Sequence, residues 1–432
     1  MSDRALTDSD SFLKQELTCS VSLDEQLIEC FHVYCKNCCN QLTVHKEEDG
    51  EHILQCATCQ TREVYPPRVT SGGQESLPQH TGTGLASLAE ICQNLSCELI
   101  STITKKTTAC KVVRKTEQRL FEVSYKPTTR GKHHLCVRLD GEHIRGSPFT
   151  VVVRLPVETL GRPMMILDSL CRPWGLVVTC NGDIIVAEHD AHQVSTCSTA
   201  GGHKLFASCN AERRVFEDPR GIAVDIQGSV YIVDGKLCCV QKFTSDGEFI
   251  TKVGKHGRQP LEFSSPVGIA VHPQSQKMYV ADNGNHRIQV LESDLTFSHV
   301  FGKHGSSDGE LNFPWDVAVD SAGKVYVADS WNNRIQVFTE DGQHLRQFGQ
   351  KGEANGALSW PSSIWIDVED FVYVTEAQNH CVSVFHLEGA FLTSFGSKGT
   401  GYGQFIEPTG ITVDRYRVVY VSDSGNNRLQ LF

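Results

Sequence analysis

No apolar run in this 432-residue chain approaches the eighteen or so residues that cross a bilayer, so no membrane-spanning helix is expected. Met1–Asp10 is polar and acidic, without the charged-then-apolar order of a secretory leader. Between residues 60 and 120 no heptad pattern is sustained, which argues against a coiled coil there. Positive charge is in deficit: 40 Lys and Arg face 51 Asp and Glu, for a net charge of -11, which argues against a general nucleic-acid coat. Cysteine is the exception, at 18 residues. Many crowd near the N-terminus at metal-ligand spacing, not the spread of a secreted disulfide framework. The expectation is a cytoplasmic protein in a reducing compartment, with zinc bound and no membrane contact.

The dominant pattern is a repeat. Pro173, Pro219, Pro266, Pro314, Pro361 and Pro408 recur at a period of 46 to 48 residues. Four of them open Pro-x-Gly, ending at Gly175, Gly221, Gly268 and Gly410; Asp316 and Ser363 stand in the other two. Each repeat holds four short β-branched or aromatic runs broken by Gly, Asn and Asp. Four-stranded units at this period read as propeller blades. The last repeat stops after its third run, at Phe432, while the run 164–168 precedes the first and is unclaimed. Residues 164–168 are therefore expected to close the sixth blade and cover its open edge.

The segments Asn285-His286-Arg287-Ile288-Gln289-Val290 and Asn332-Asn333-Arg334-Ile335-Gln336-Val337-Phe338 resemble NHL repeats, and the likeness recurs over residues 162–432. It implies a six-bladed β-propeller whose rim binds RNA stem-loops or protein partners.

Cys19, then Cys30-x-His32-x2-Cys35-x2-Cys38, then Cys56-x2-Cys59 form the N-terminal group. Pairs two residues apart aim two thiolates at one tetrahedral zinc. The order over residues 15–62 resembles a RING finger, degenerate because Ser22 stands where a ligand is due. The resemblance implies one complete site from Cys30, His32, Cys56 and Cys59. A second, from Cys19, Cys35 and Cys38, is weakened by Ser22. It also implies docking of a ubiquitin-conjugating enzyme.

Residues 63–95 read as a Pro, Gly and Ser linker with a short helix at 85–93. Residues 96–155 read as strands. Tyr125-Lys126-Pro127, Gly131–Val137 and Gly146-Ser147-Pro148-Phe149 resemble a filamin-type immunoglobulin-like repeat cut short at its N-terminal side. RING, filamin and NHL parts in that order resemble the TRIM-NHL family, here without B-box or coiled coil. The resemblance implies a RING-type ubiquitin-protein ligase, its propeller recruiting a protein substrate or RNA. The alternative is a non-catalytic adaptor, or an RNA-binding post-transcriptional repressor, with an inactive RING.

Strand alternation puts the loops after the second and fourth strands of every blade on one rim. That rim gathers Arg287, Arg334 and Arg428 with Lys255, Lys303, Lys351 and Lys398, and carries Trp331. The opposite rim is rich in acids. A polarised disc with an anion-binding face is expected. The arginines and the aspartates that end the second strands can equally serve only to hold their loops together, and the sequence leaves both readings open.

Overall fold

Blades of short β-branched strands cannot bury an apolar face alone, so each must stack on the next. The computed structural model of this chain satisfies that demand with six four-stranded antiparallel sheets. It describes residues 17–22, 42–46, 52–56, 62–65, 95–115, 120–125, 129–139, 141–143, 147–153, 160–199, 202–207 and 215–432. Two compact units divide the chain, Met1–Val153 and Arg154–Phe432. No helix among the described residues is long and apolar enough to cross a membrane.

The second unit is the propeller. In its third blade the strands are Ile269–Val271, Met278–Asp282, Arg287–Leu291 and Phe297–Phe301. Second strands are buried on both faces: every residue of Val325–Asp329 in the fourth blade is buried. The core therefore lies between blades. Tyr231 and Val233 of the second blade pack with Ile269, Met278 and Val280 of the third. Fourth strands face solvent, as Phe249–Val253 does. Each first strand also contacts that of the next blade, and the sixth contacts the first, so the ring is closed.

Closure comes from the two ends of the unit. Met165–Leu167 pairs antiparallel with Arg428–Leu431, Ile166 lying opposite Gln430. The sixth blade is thus built from Met165–Leu167 and three C-terminal strands, as the unclaimed apolar run implied.

The repeated glycine has a steric reason. A Cβ on Gly175 would lie 2.2 Å from the Arg220 carbonyl oxygen of the next blade. One on Gly221 would lie 2.5 Å from the Val267 oxygen. First strands meet at the channel backbone to backbone, and only glycine permits that approach. Asp316 breaks the rule by bonding across the gap. Its Oδ2 accepts from Ser363 Oγ at 2.5 Å and from the Ile364 N–H at 3.1 Å, tying the fourth blade to the fifth.

Strands are the regular elements of the first unit among its described residues. Leu95–Ser101 and Phe149–Val153 both pair with Gly131–Leu139. Leu17–Ser22 pairs with Leu120–Tyr125, which also pairs with Lys111–Lys115. That sheet joins the stretch expected to be a zinc module with the stretch expected to be immunoglobulin-like. Leu42–Lys46, His52–Cys56 and Arg62–Tyr65 form a separate meander. Cys19 and Cys56 fall on these strands. Cys30, His32, Cys35, Cys38 and Cys59, and the helix expected at 85–93, lie outside the described residues.

Candidate partner-binding rim

All six second strands end in a carboxylate that a buried strand cannot leave unpaired. In the third, fourth and sixth blades this is Asp282, Asp329 and Asp423, each with no exposed surface. A single 3-10 turn follows, and the arginine of the third strand folds back onto the acid. Arg287 Nε donates to Asp282 at 2.8 Å; Arg334 Nε and Arg428 Nε donate to Asp329 and Asp423 at 2.7 Å.

The outer nitrogens of the same guanidinia are also committed. Arg334 Nη2 donates to the carbonyls of Ser307 and Glu310, both at 2.9 Å, and Nη1 to Gln347. Arg428 Nη2 reaches the carbonyls of Gly401 and Gln404. Arg287 reaches those of Arg258, Gln259 and Glu262. None of the three side chains is more than 15% exposed. The expected role of Arg287, Arg334 and Arg428 in anion binding is therefore corrected. Each is a staple between the loop after the second strand and the loop entering its blade, with Nε and at least one outer nitrogen engaged. Gln289, Gln336 and Gln430 complete the staple, each donating to the same aspartate and to one loop carbonyl.

The lysines behave differently. Lys255 and Lys303 are 77% exposed, and each reaches a glutamate, Glu262 and Glu310, at 3.3 Å. Backbone N–H groups at Gln259 and Ser307 hold those two carboxyls below the usual range. Ala357 and Gln404 take the glutamate's place in the next two loops. Lys351 and Lys398 are exposed, and no carboxylate among the described residues pairs with either.

Trp331 is 54% exposed, as expected of a loop tip. It does not stand alone. It lies 4.8 Å from Phe313 and 6.0 Å from Trp360, ring centre to ring centre. Trp360 is 5.9 Å from Trp315, and Trp315 is 6.0 Å from Trp174. Trp174 stacks on His189 at 4.5 Å and lies under the Arg220 guanidinium at 5.2 Å. In the other direction Phe313 meets His286, which meets His304 at 4.3 Å. Burial, with His304 close by, pushes the His286 imidazole below its ordinary range. Sequence reading missed Trp360, Phe313 and His286. The available signal was positional, because Phe313 and Trp360 both directly precede a repeat proline.

Acids on the opposite rim are partly consumed by turns. Asp225 accepts the N–H groups of Gln227 and Ser229 and the Tyr231 hydroxyl. Asp367 accepts those of Glu369 and Phe371 and the Tyr373 hydroxyl. Such carboxylates keep their charge but serve as turn caps, with lone pairs committed to their own loops.

Six like four-stranded sheets closed into a ring define the class: a six-bladed β-propeller. The NHL repeat family matches residues 170–196, 263–291 and 311–338. The Filamin/ABP280 repeat family matches residues 26–150, starting well before residue 96. The E3 ubiquitin-protein ligase TRIM71 of Rattus norvegicus is 37% identical over 90 residues, 19% of this chain and 10% of that protein. Protein brain tumor of Drosophila melanogaster is 40% identical over 68 residues, 16% of this chain and 6% of that protein. The chain thus matches a tenth or less of these relatives' length. A solved protein of unknown function from Bacteroides thetaiotaomicron has a TM-score of 0.50 at 12% identity, covering 95% of this chain and 99% of that one. The last likeness concerns the fold alone.

Proposed function

We propose that this chain is a TRIM-NHL-type recognition protein whose propeller rim binds RNA loops. The observation that carries this reading is the aromatic file from Trp331 to Trp174, on the rim where Lys351 and Lys398 have no acid partner among the described residues. Unpaired bases stack on such rings while lysines meet phosphates. Trp331→Ala is expected to weaken binding of a labelled RNA stem-loop by about 1–3 kcal/mol. Unchanged affinity, or capture of protein alone, overturns the RNA reading in favour of a protein substrate.

For the N-terminal unit we infer an adaptor role without ubiquitin ligation. Cys19, a ligand in the RING resemblance, sits inside a strand, directly opposite Val123. The hairpin that pairs Leu42 with Cys56 brings the start of one strand and the end of the next to a single end. In sequence, Cys35-x2-Cys38 runs up to that end and Cys56-x2-Cys59 runs away from it. Two Cys-x2-Cys pairs are, by sequence, the donor set of one closed tetrahedral zinc, which would act as a cross-link only. One zinc per chain and no ubiquitin discharge from a conjugating enzyme are expected. Two zincs with chain formation would restore the ligase.

A further inference from the structure

The fifth blade departs from the staple in a coordinated way. Its buried carboxylate is Glu376, 1% exposed, and its loop asparagine is kept: Asn379 donates to Glu376 at 2.7 Å and to the Gly352 carbonyl at 2.9 Å. Every longer partner is truncated. Cys381 stands where the fourth blade has Arg334, and Ser383 where it has Gln336. Ser394 stands for Gln347, and Ala357 for Glu310. The result is an open cleft of about 450 Å³ whose lining includes Glu376, Cys381, Ser383, Ser394 and Ala357.

The acid in this cleft is hydrogen-bonded, but no cation among the described residues pairs with it. Ser383 Oγ donates to it at 2.6 Å, Cys381 Sγ approaches at 3.5 Å, and the Ser359 N–H donates at 2.9 Å. Burial holds its carboxyl above the usual range. The carbonyls of Ala354 and Ala357 hold the chain positions of those that receive Arg334 from Ser307 and Glu310. Other blades without arginine differ. In the second blade Asp234 accepts the N–H groups of Glu217, Asp218, Lys236 and Leu237, and Gln241 is retained. In the first, His203 stands 3.2 Å from Glu188. The first blade also lacks both, with Gln193 and Ser195 in their places, but there Gln193 Nε2 donates to Glu188 at 3.0 Å and His203 stands beside it; among the described residues the fifth blade has no long side chain in either place.

We propose that this cleft is a receptor site for a guanidinium group brought from outside, the side chain of an arginine in a partner polypeptide. The incoming group takes the place that Arg334 occupies in the neighbouring blade. Its fork faces Glu376 and the two alanine carbonyls, a fit that a compact lysine ammonium does not match. Glu353, His380 and Lys398 also line the cleft. Lys398 opposes any cation, so recognition depends on the geometry of the fork as well as on charge. The cleft shares Lys398 with the proposed RNA rim, but its test reads peptide binding without RNA, so the two readings can fail separately.

The test uses the full chain and three probes: a capped Gly-Gly-Arg-Gly-Gly peptide, its lysine counterpart and methylguanidine. The arginine peptide should bind, and the lysine peptide should bind at least about tenfold more weakly. Cys381→Arg should fill the cleft from within, abolish binding and raise Tm by about 2 °C or more. Glu376→Gln should weaken binding about 30-fold with the fold intact by circular dichroism, which keeps the test valid if the first variant misfolds. Methylguanidine bound as tightly as the peptide would keep the guanidinium site but assign it to a small guanidino compound. Equal binding of the arginine and lysine peptides, or arginine binding undiminished in both variants, overturns the proposal.

Discussion

At the scale of single residues, this propeller spends its arginines on architecture. A guanidinium with five donors can satisfy one buried carboxylate and several loop carbonyls at once, and Arg334 does so. Arg334→Ala leaves Asp329 buried without its cation. The expected loss is about 3–5 kcal/mol in urea unfolding. A loss under about 0.5 kcal/mol, the usual scale of a surface change, would contradict the staple. Asp316 gives a second expectation. It lies partly open in the channel wall, and burial pushes its carboxyl up to about 6 from an ordinary value of 3.8. The folded state therefore favours the protonated form. Its contribution is fully present below about pH 4 and is lost as pH rises through 6. Between those values the wild type should lose about 1–3 kcal/mol relative to Asp316→Asn. A difference that is flat with pH, or that grows the other way, would contradict this assignment.

At the scale of elements, the sixth blade holds the ring shut. Met165–Leu167 is three residues long, yet it covers the edge of Arg428–Leu431. Leu160 packs in the same core as Phe405 and Phe432. Deleting residues 160–168 should therefore expose amides of residues 428–431 to hydrogen exchange and broaden the unfolding transition. Unaltered protection there would mean the ring closes by other contacts. Strands and blades were legible in the sequence because a fixed period and buried β-branched runs leave little choice. Even the closing strand could be read, since Met164–Asp168 had no other place to pair. The destiny of the arginines was not legible. Asn-x-Arg-x-Gln fits a solvated loop and a buried staple equally, and only the loop carbonyls brought up by the preceding blade decide. The pairing of Leu17–Ser22 with Leu120–Tyr125 was hidden for a related reason. Contacts so distant along the chain leave no local periodicity.

At the scale of the propeller, the recognition surface is the part of the rim its own architecture leaves over. Arginines are committed, and two of the four loop lysines are held by Glu262 and Glu310. Lys351, Lys398 and the aromatic file remain. The most direct test compares two double variants for RNA stem-loop affinity across salt concentrations. Lys351→Glu with Lys398→Glu should weaken binding about tenfold or more and reduce the salt slope by about two. Lys255→Glu with Lys303→Glu should do clearly less. Equal losses from the two pairs, or no loss from the first, would contradict the account.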